Sequence, residues 1–159
     1  VARSSGVAKT TIYRHFASGD ELLLAAIDGM VDQLTTPATG SFRSDLREVV
    51  NAFLAVADSL AMRQLFVALI SRSMFDQGFA ALYRAKRDER HAPIRRVLQR
   101  GIASGDVDPE IDIDLAVYLV EGPFLSKRLV ENESFRPSEI DAIIDLLVAA
   151  LAPRSSRAN

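Results

Sequence analysis

The sequence predicts an all-α protein, a partial helix-turn-helix head followed by a helical bundle. Three observations carry that reading. Apolar residues recur at intervals of three and four, and no stretch sustains the alternation of a half-buried strand. Residues that start and stop helices, such as Ser18, Asp112, Pro137 and Gly105, stand at the ends of these periodic runs. Finally, 48% of the 159 residues are hydrophobic, enough for a substantial core.

The first sixteen residues, Val1 to Phe16, fit two short helices joined by a turn. Ala2 is small, as the close approach of two helices requires, and Gly6 supplies the turn four residues later. Val7 and Ile12 pack the corner. On a helix from Lys9, Ile12 and Phe16 share the buried side, so Thr10 and Arg14 point away from the core. Tyr13 lies on one flank, Thr11 and His15 on the other. Central side chains that reach base edges, flanked by hydroxyls, rings and cations that hold phosphates, make a DNA-reading helix. Lys9, Thr10, Thr11, Tyr13, Arg14 and His15 are therefore the candidate DNA-binding residues, with double-stranded operator DNA as the partner.

Ser18-Gly19-Asp20-Glu21 reads as a capping box for a helix with Leu23, Ile27, Met30, Val31 and Leu34 on one side. Thr35–Ser41 is a loop. A second helix lines up Leu46, Val49, Val50, Phe53, Ala57 and Leu60, and a third carries Leu65, Phe66, Leu69 and Ile70. A long helix runs from about Gln77 to Ser104, stopped by a left-handed Gly105 and kinked near Ala92 by Pro93. Asp112 caps the next, which Gly122-Pro123 interrupts. Pro137 opens the last, with Glu139 two residues on, and it ends before Pro153. Three units follow: 1–35, a partial helix-turn-helix and connecting helix; 36–152, a helical body, read below as the ligand-binding and dimerisation domain; 153–159, a flexible tail.

The charge balance agrees with this division. The net charge is −2, yet residues 1–16 carry Arg3, Lys9 and Arg14 with no acid, a basic tip on an acidic body. With no cysteine, disulfides and cysteine-bearing metal sites are excluded. The longest apolar runs fall far short of the ~20 residues a membrane span needs, so a cytoplasmic protein with no membrane role is expected. His15 and His91 are the only histidines, and neither stands in a metal-triad spacing. No nucleophile–base arrangement is visible, so neither an enzyme nor a cofactor is expected. Arg84, Lys86, Arg87, Arg90, Arg95, Arg96 and Arg100, spread around the long helix with Asp88 and Glu89 among them, read as a solvated face.

The run Gly6-Val7-Ala8-Lys9-Thr10-Thr11-Ile12-Tyr13-Arg14-His15-Phe16, followed by Ser18 and the acids Asp20-Glu21, resembles the tetracycline-repressor (TetR) family of regulators. Turn, recognition helix and next cap stand at the family's spacing. Ala8 replaces the family's usual serine cap, which removes a hydrogen bond worth ~1 kcal/mol. Gly19 stands where the family often has a phosphate-binding lysine. The resemblance implies that the family's first helix and most of its second lie upstream of Val1. It continues, less specifically, through Arg100-Gly101 to Gly105, Asp106–Asp112, Gly122-Pro123 and Pro137 to Leu151. It implies a ligand-responsive regulator, most often a repressor, acting as a homodimer. A helical small-molecule-binding protein without a DNA role is the alternative.

Between Ile140 and Leu151 only Asp141 and Asp145 are polar, and a helix apolar on nearly all sides must be covered on nearly all sides. A partner subunit is the economical cover, a central place in a monomer core the alternative. The resemblance puts the last two helices in a four-helix dimer interface, with Leu119, Gly122, Leu125, Ile140, Ile144, Leu147 and Leu151 as candidates. For a small-molecule effector, the aromatic and methionine residues Met62, Phe66, Met74, Phe75, Phe79 and Tyr83, joined by Tyr118, Glu121 and Phe124, suit an adaptable apolar cavity with a polar handle. The same residues at helical spacing also suit plain core filling.

Overall fold

The computed structural model describes residues 16, 18–31 and 35–154, which form six α-helices and one π-helical turn, with no strand among them. Residues 9–15 of the expected recognition helix, residues 155–159 of the expected tail and the side chains of Ile27, Met30, Val31 and Leu34 lie outside the described residues.

Helix α1 (Gly19–Val31) starts where Ser18 Oγ accepts from the Glu21 N–H at 3.1 Å, one arm of the expected capping box. Helix α2 (Phe42–Ala57) turns Phe42, Leu46, Val49, Val50, Phe53, Leu54 and Ala57 inward. It stops before Leu60, because Ser59 takes an extended conformation and its hydroxyl accepts from the Met62 N–H, capping a new helix. Leu60, expected on the inner face of α2, therefore opens α3 (Leu60–Phe75) and is mostly exposed. Helix α3 buries only Phe66 and Leu69, and Ile70 lies outside.

Helix α4 (Gln77–Ser104) continues through Pro93 and ends at Gly105, whose φ of 84° is the left-handed stop its sequence position predicts. The reverse turn folds tightly over Gly101, whose carbonyl accepts from the N–H groups of Asp106 and Val107. Helix α5 (Ile113–Leu125) is capped by Asp112, which accepts from Asp114 and Leu115. The interruption expected at Gly122-Pro123 falls three residues later: α5 runs past Pro123 and loosens into a π turn at Ser126–Val130. There the Glu131 N–H reaches back five residues to Ser126. In α6 (Pro137–Leu151) Pro137 is the first helical residue, and Glu139 accepts from the Arg136 backbone N–H at 2.8 Å.

Helix α4 is the hub, packing against α1, α2, α3 and α5, while α6 lies on α2 and α5. The Leu151 carbonyl accepts from the Asp108 N–H, tying the end of α6 to the α4–α5 loop.

Helix α6 corrects one expectation. Ile144, Leu147 and Leu151 form an inner stripe that is almost wholly buried within the subunit, so they are not interface residues. Burying each contributes roughly 1.5–3 kcal/mol to the subunit itself. Ile140 packs partly against the same core, as does Leu125 of α5. The exposed side of α6 holds Ala142, Leu146, Ala149 and Ala150, and that of α5 holds Leu115, Tyr118, Leu119 and Gly122. Each set recurs at three and four, so both helices carry an outward apolar stripe beside an inward one.

Candidate functional site

The most unusual feature of the interior is polar. Along α4, Phe79, Tyr83, Arg90, Ile94, Val97 and Gly101 recur at three, four and seven and point inward, which carries Arg90 into the core at 5% exposure. His91 beside it is 2% exposed, and Glu121 of α5 is 6% exposed. Arg90 Nη2 donates to Glu121 Oε1 at 2.8 Å, and His91 Nε2 stands 2.8 Å from Glu121 Oε2. The Arg90 guanidinium lies over the Phe66 ring at 5.2 Å. The Tyr118 ring meets His91 edge-on at 6.0 Å, while Arg87 lies over it at 5.7 Å.

Charge buried this deeply is retained only where it is paired. Burial pushes the Glu121 carboxyl upward, but the His91 bond and the nearby Arg90 outweigh it and hold the group below its ordinary value. Burial raises Tyr83, which also feels Arg90 and Glu121. The pairing is nevertheless incomplete. Both Glu121 oxygens are used, while Arg90 Nε, Arg90 Nη1 and Arg87 Nε are buried without a hydrogen-bond partner.

The cluster brings together four of the expected ligand residues, Phe66, Tyr83, Tyr118 and Glu121. Phe79 is buried in the first turn of α4 under Arg72, and Phe124 packs on Phe135 at 5.2 Å. Met62 is partly buried against the core. Met74 and Phe75 do not belong to it: they are 73% and 84% exposed on the last turn of α3, where Asp76 turns the chain into α4. Arg90 and His91 were hidden in sequence by the surrounding run of arginines. The signal for Arg90 was its register, four residues before Ile94 and seven after Tyr83. Its expected place on a solvated face is overturned by its burial.

Three clefts among the described residues lie elsewhere. One of about 450 Å³ sits between Phe42, Asp45 and Arg100, and one of about 650 Å³ lies beside it near Gly105 and Val148. A third of about 440 Å³ separates Leu60 and Val67 of α3 from Arg128 and Leu129. None of the three reaches the cluster. No group of three or more histidine or acidic side chains among the described residues could hold a metal ion. No single helix among them is long and apolar enough to cross a membrane.

The cluster sits between two sets of ties running from α4 toward the N-terminal segment. Before it, Lys86 pairs with Asp28 of α1 at 2.7 Å, and from α3 Arg72 grips Asp20 of α1 through two hydrogen bonds. After it, Arg96 donates to the Thr36 hydroxyl and Arg100 to the Pro37 carbonyl. Arg100 also pairs with buried Asp45 at 3.0 Å. Burial raises the Asp45 carboxyl, but the Thr39 N–H and hydroxyl, with Arg100, bring it below its ordinary value. Helix α1 and the loop after it are thus held by the helix that carries the cluster.

Comparison with known proteins yields two family profiles that match this chain. The tetracyclin repressor-like C-terminal domain matches residues 36–147, and the profile of bacterial regulatory proteins of the tetR family matches residues 1–26. The HTH-type transcriptional regulator YdeS of Bacillus subtilis is 23% identical over 91% of this chain and 73% of its own length. The crystal structure of the TetR family transcription regulator SCO0332 superposes with a TM-score of 0.75 at 27% identity, covering 96% of this chain and 85% of that one. The transcriptional regulator FadR from Bacillus subtilis, solved in complex with stearoyl-CoA, has a TM-score of 0.70 at 18% identity, covering 94% and 86%. That last likeness concerns the fold.

Proposed function

Because the chain belongs to the tetracycline-repressor family of transcriptional regulators, we propose that it acts as a homodimeric repressor whose grip on operator DNA is released by a small molecule at the Arg90–His91–Glu121 cluster. The observation that carries this reading is the position of the cluster. It lies on α4 between the ties to α1 and the ties to the loop at Thr36 and Pro37. A ligand that rearranges Arg90 and Glu121 would shift α4 against α5, and α1 would follow through the Lys86–Asp28 pair. Two recognition helices must match half-sites one helical turn, ~34–36 Å, apart, so a small change in their separation loses one contact.

The dimer seam in this proposal is the outward stripe of α5 (Leu115, Leu119, Gly122) against that of α6 (Ala142, Leu146, Ala149). Both stripes are apolar and exposed in the subunit, and together they make the kind of patch that marks an interaction site. In the DNA head, the proposal assigns Thr10 and Arg14 to base edges and Lys9, Thr11, Tyr13 and His15 to the backbone. The test selects sites from a random duplex pool with the full-length protein and titrates the winner. Arg14→Ala is expected to cost about 1–3 kcal/mol at one base position per half-site if Arg14 reads a guanine. Tyr13→Phe is expected to weaken all sequences alike. If Arg14→Ala leaves both affinity and base preference unchanged, that face does not enter the major groove.

A further inference from the structure

We propose that the molecule recognised at the cluster is an organic acid, whose carboxylate binds Arg90 and Arg87 while its apolar body lies against Phe66 and Tyr118. The proposal rests on the reading of the bundle as an effector-binding body and adds the chemical class of the effector.

The argument is a count of donors and acceptors. Glu121 is the carboxylate bonded to Arg90 and His91, and each of its oxygens already has a partner at 2.8 Å. Around it three nitrogens remain buried and unpartnered, Arg90 Nε, Arg90 Nη1 and Arg87 Nε. Asp88 takes Arg87 Nη2 at 3.3 Å and leaves its Nε free. Every one of these atoms is an N–H donor, since a guanidinium has no acceptor. A ligand amine or ammonium would meet only more donors there, whereas a carboxylate oxygen accepts a charge-assisted bond from such an N–H. The walls are aromatic: Phe66 under Arg90 at 5.2 Å, and Tyr118 between Arg87 and His91. Flat or chain-like apolar groups suit such walls. Arg87 is also the partly exposed edge of the cluster, the side from which a ligand enters.

Two matched pairs test the proposal on the whole chain, benzoate with benzamide and hexanoate with hexanamide. Calorimetry gives affinity, and the Nε–Hε resonances of Arg90 and Arg87 in nitrogen-15 spectra report the site. The acids are expected to bind at least about tenfold tighter than their amides, the margin of a charge-assisted over a neutral hydrogen bond. They should also shift both arginine resonances saturably. Arg87→Gln, at the rim of the cluster, should weaken the acids several-fold and the amides much less, because only the acids lose a charge-assisted bond. Arg90→Lys, which keeps the charge and removes both free guanidinium nitrogens, should do the same more strongly. Equal binding of acid and amide would overturn the acid class while leaving an effector site in place. No saturable response to any of the four would overturn the effector site together with its chemistry.

Discussion

A methyl group at position 101 would stand 2.6 Å from Val107 Cγ2 and 2.8 Å from the Phe42 ring. Gly101 is thus held by packing, since α4, the start of α2 and the turn after α4 meet over its Cα. Gly101→Ala is expected to destabilise the subunit by about 1–3 kcal/mol through overpacking. Thermal denaturation beside Gly122→Ala checks it, because a methyl at Gly122 meets nothing within 4 Å in the subunit. A second residue-scale outcome concerns Arg90. Arg90→Met leaves Glu121 buried with His91 alone, and breaking such a pair costs about 3–5 kcal/mol. The double variant Arg90→Met/Glu121→Leu removes both charges and is expected to recover most of that loss in a urea titration. Arg90 also marks a limit of sequence reading. A charged residue in a charged run gives no sign of burial until its register is compared with Tyr83 and Ile94.

Among the elements, the α6 N-terminus couples stability to acid. Three hydrogen bonds hold the Glu139 carboxyl down to about 2, first from the Arg136 backbone N–H, then from the Arg136 and Lys127 side chains. A depressed carboxyl contributes stability that is complete above its unfolded value near 4.5 and is lost as pH falls toward 2. Glu139→Gln is therefore expected to flatten the stability curve across that window and to lower stability at neutral pH. Chemical denaturation at stepped pH measures both. The element ends were well written in the sequence, because caps are local chemistry: Ser18, Gly105, Asp112 and Pro137 all act where they stand. The cap at Ser59 is masked in sequence because Leu60 extends the apolar period of α2 by one more step. Which side of α6 faces inward was illegible for another reason. Ile144-Leu147-Leu151 and Ala142-Leu146-Ala149 are both apolar stripes, and only the packing of α2 and α5 decides between them.

For the whole molecule, in the proposed dimer those two stripes separate folding from assembly. Leu147→Glu would place a charge in the subunit core and is expected to unfold it. Leu146, 71% exposed, tests association instead: Leu146→Glu should leave helicity and melting of the subunit intact and shift sedimentation from dimer to monomer. A Leu146→Glu protein that remains a dimer would rule out the outward face of α6 as the seam. Predicting the two-part organisation needed only the motif at the N-terminus and the periodicities of the body. The polar cluster needed three dimensions, because Glu121 and His91 are thirty residues apart.

Asp145 and Asp141 of α6 are paired inside the subunit with Arg43 and Arg47 of α2, at 2.7 and 3.5 Å. The outward stripe beside them, Ala142, Leu146, Ala149 and Ala150, is uncharged. Subunits meeting through such a surface would exchange few counterions, whereas every phosphate gripped by Lys9 or a neighbouring cation would release one. Ionic strength should therefore act on the two associations unequally. Raising salt from 50 to 500 mM is expected to detach the protein from DNA steeply while the dimer, followed by sedimentation, hardly notices. In a cell, the regulator would leave its site as an intact pair, ready to rebind without searching for a partner.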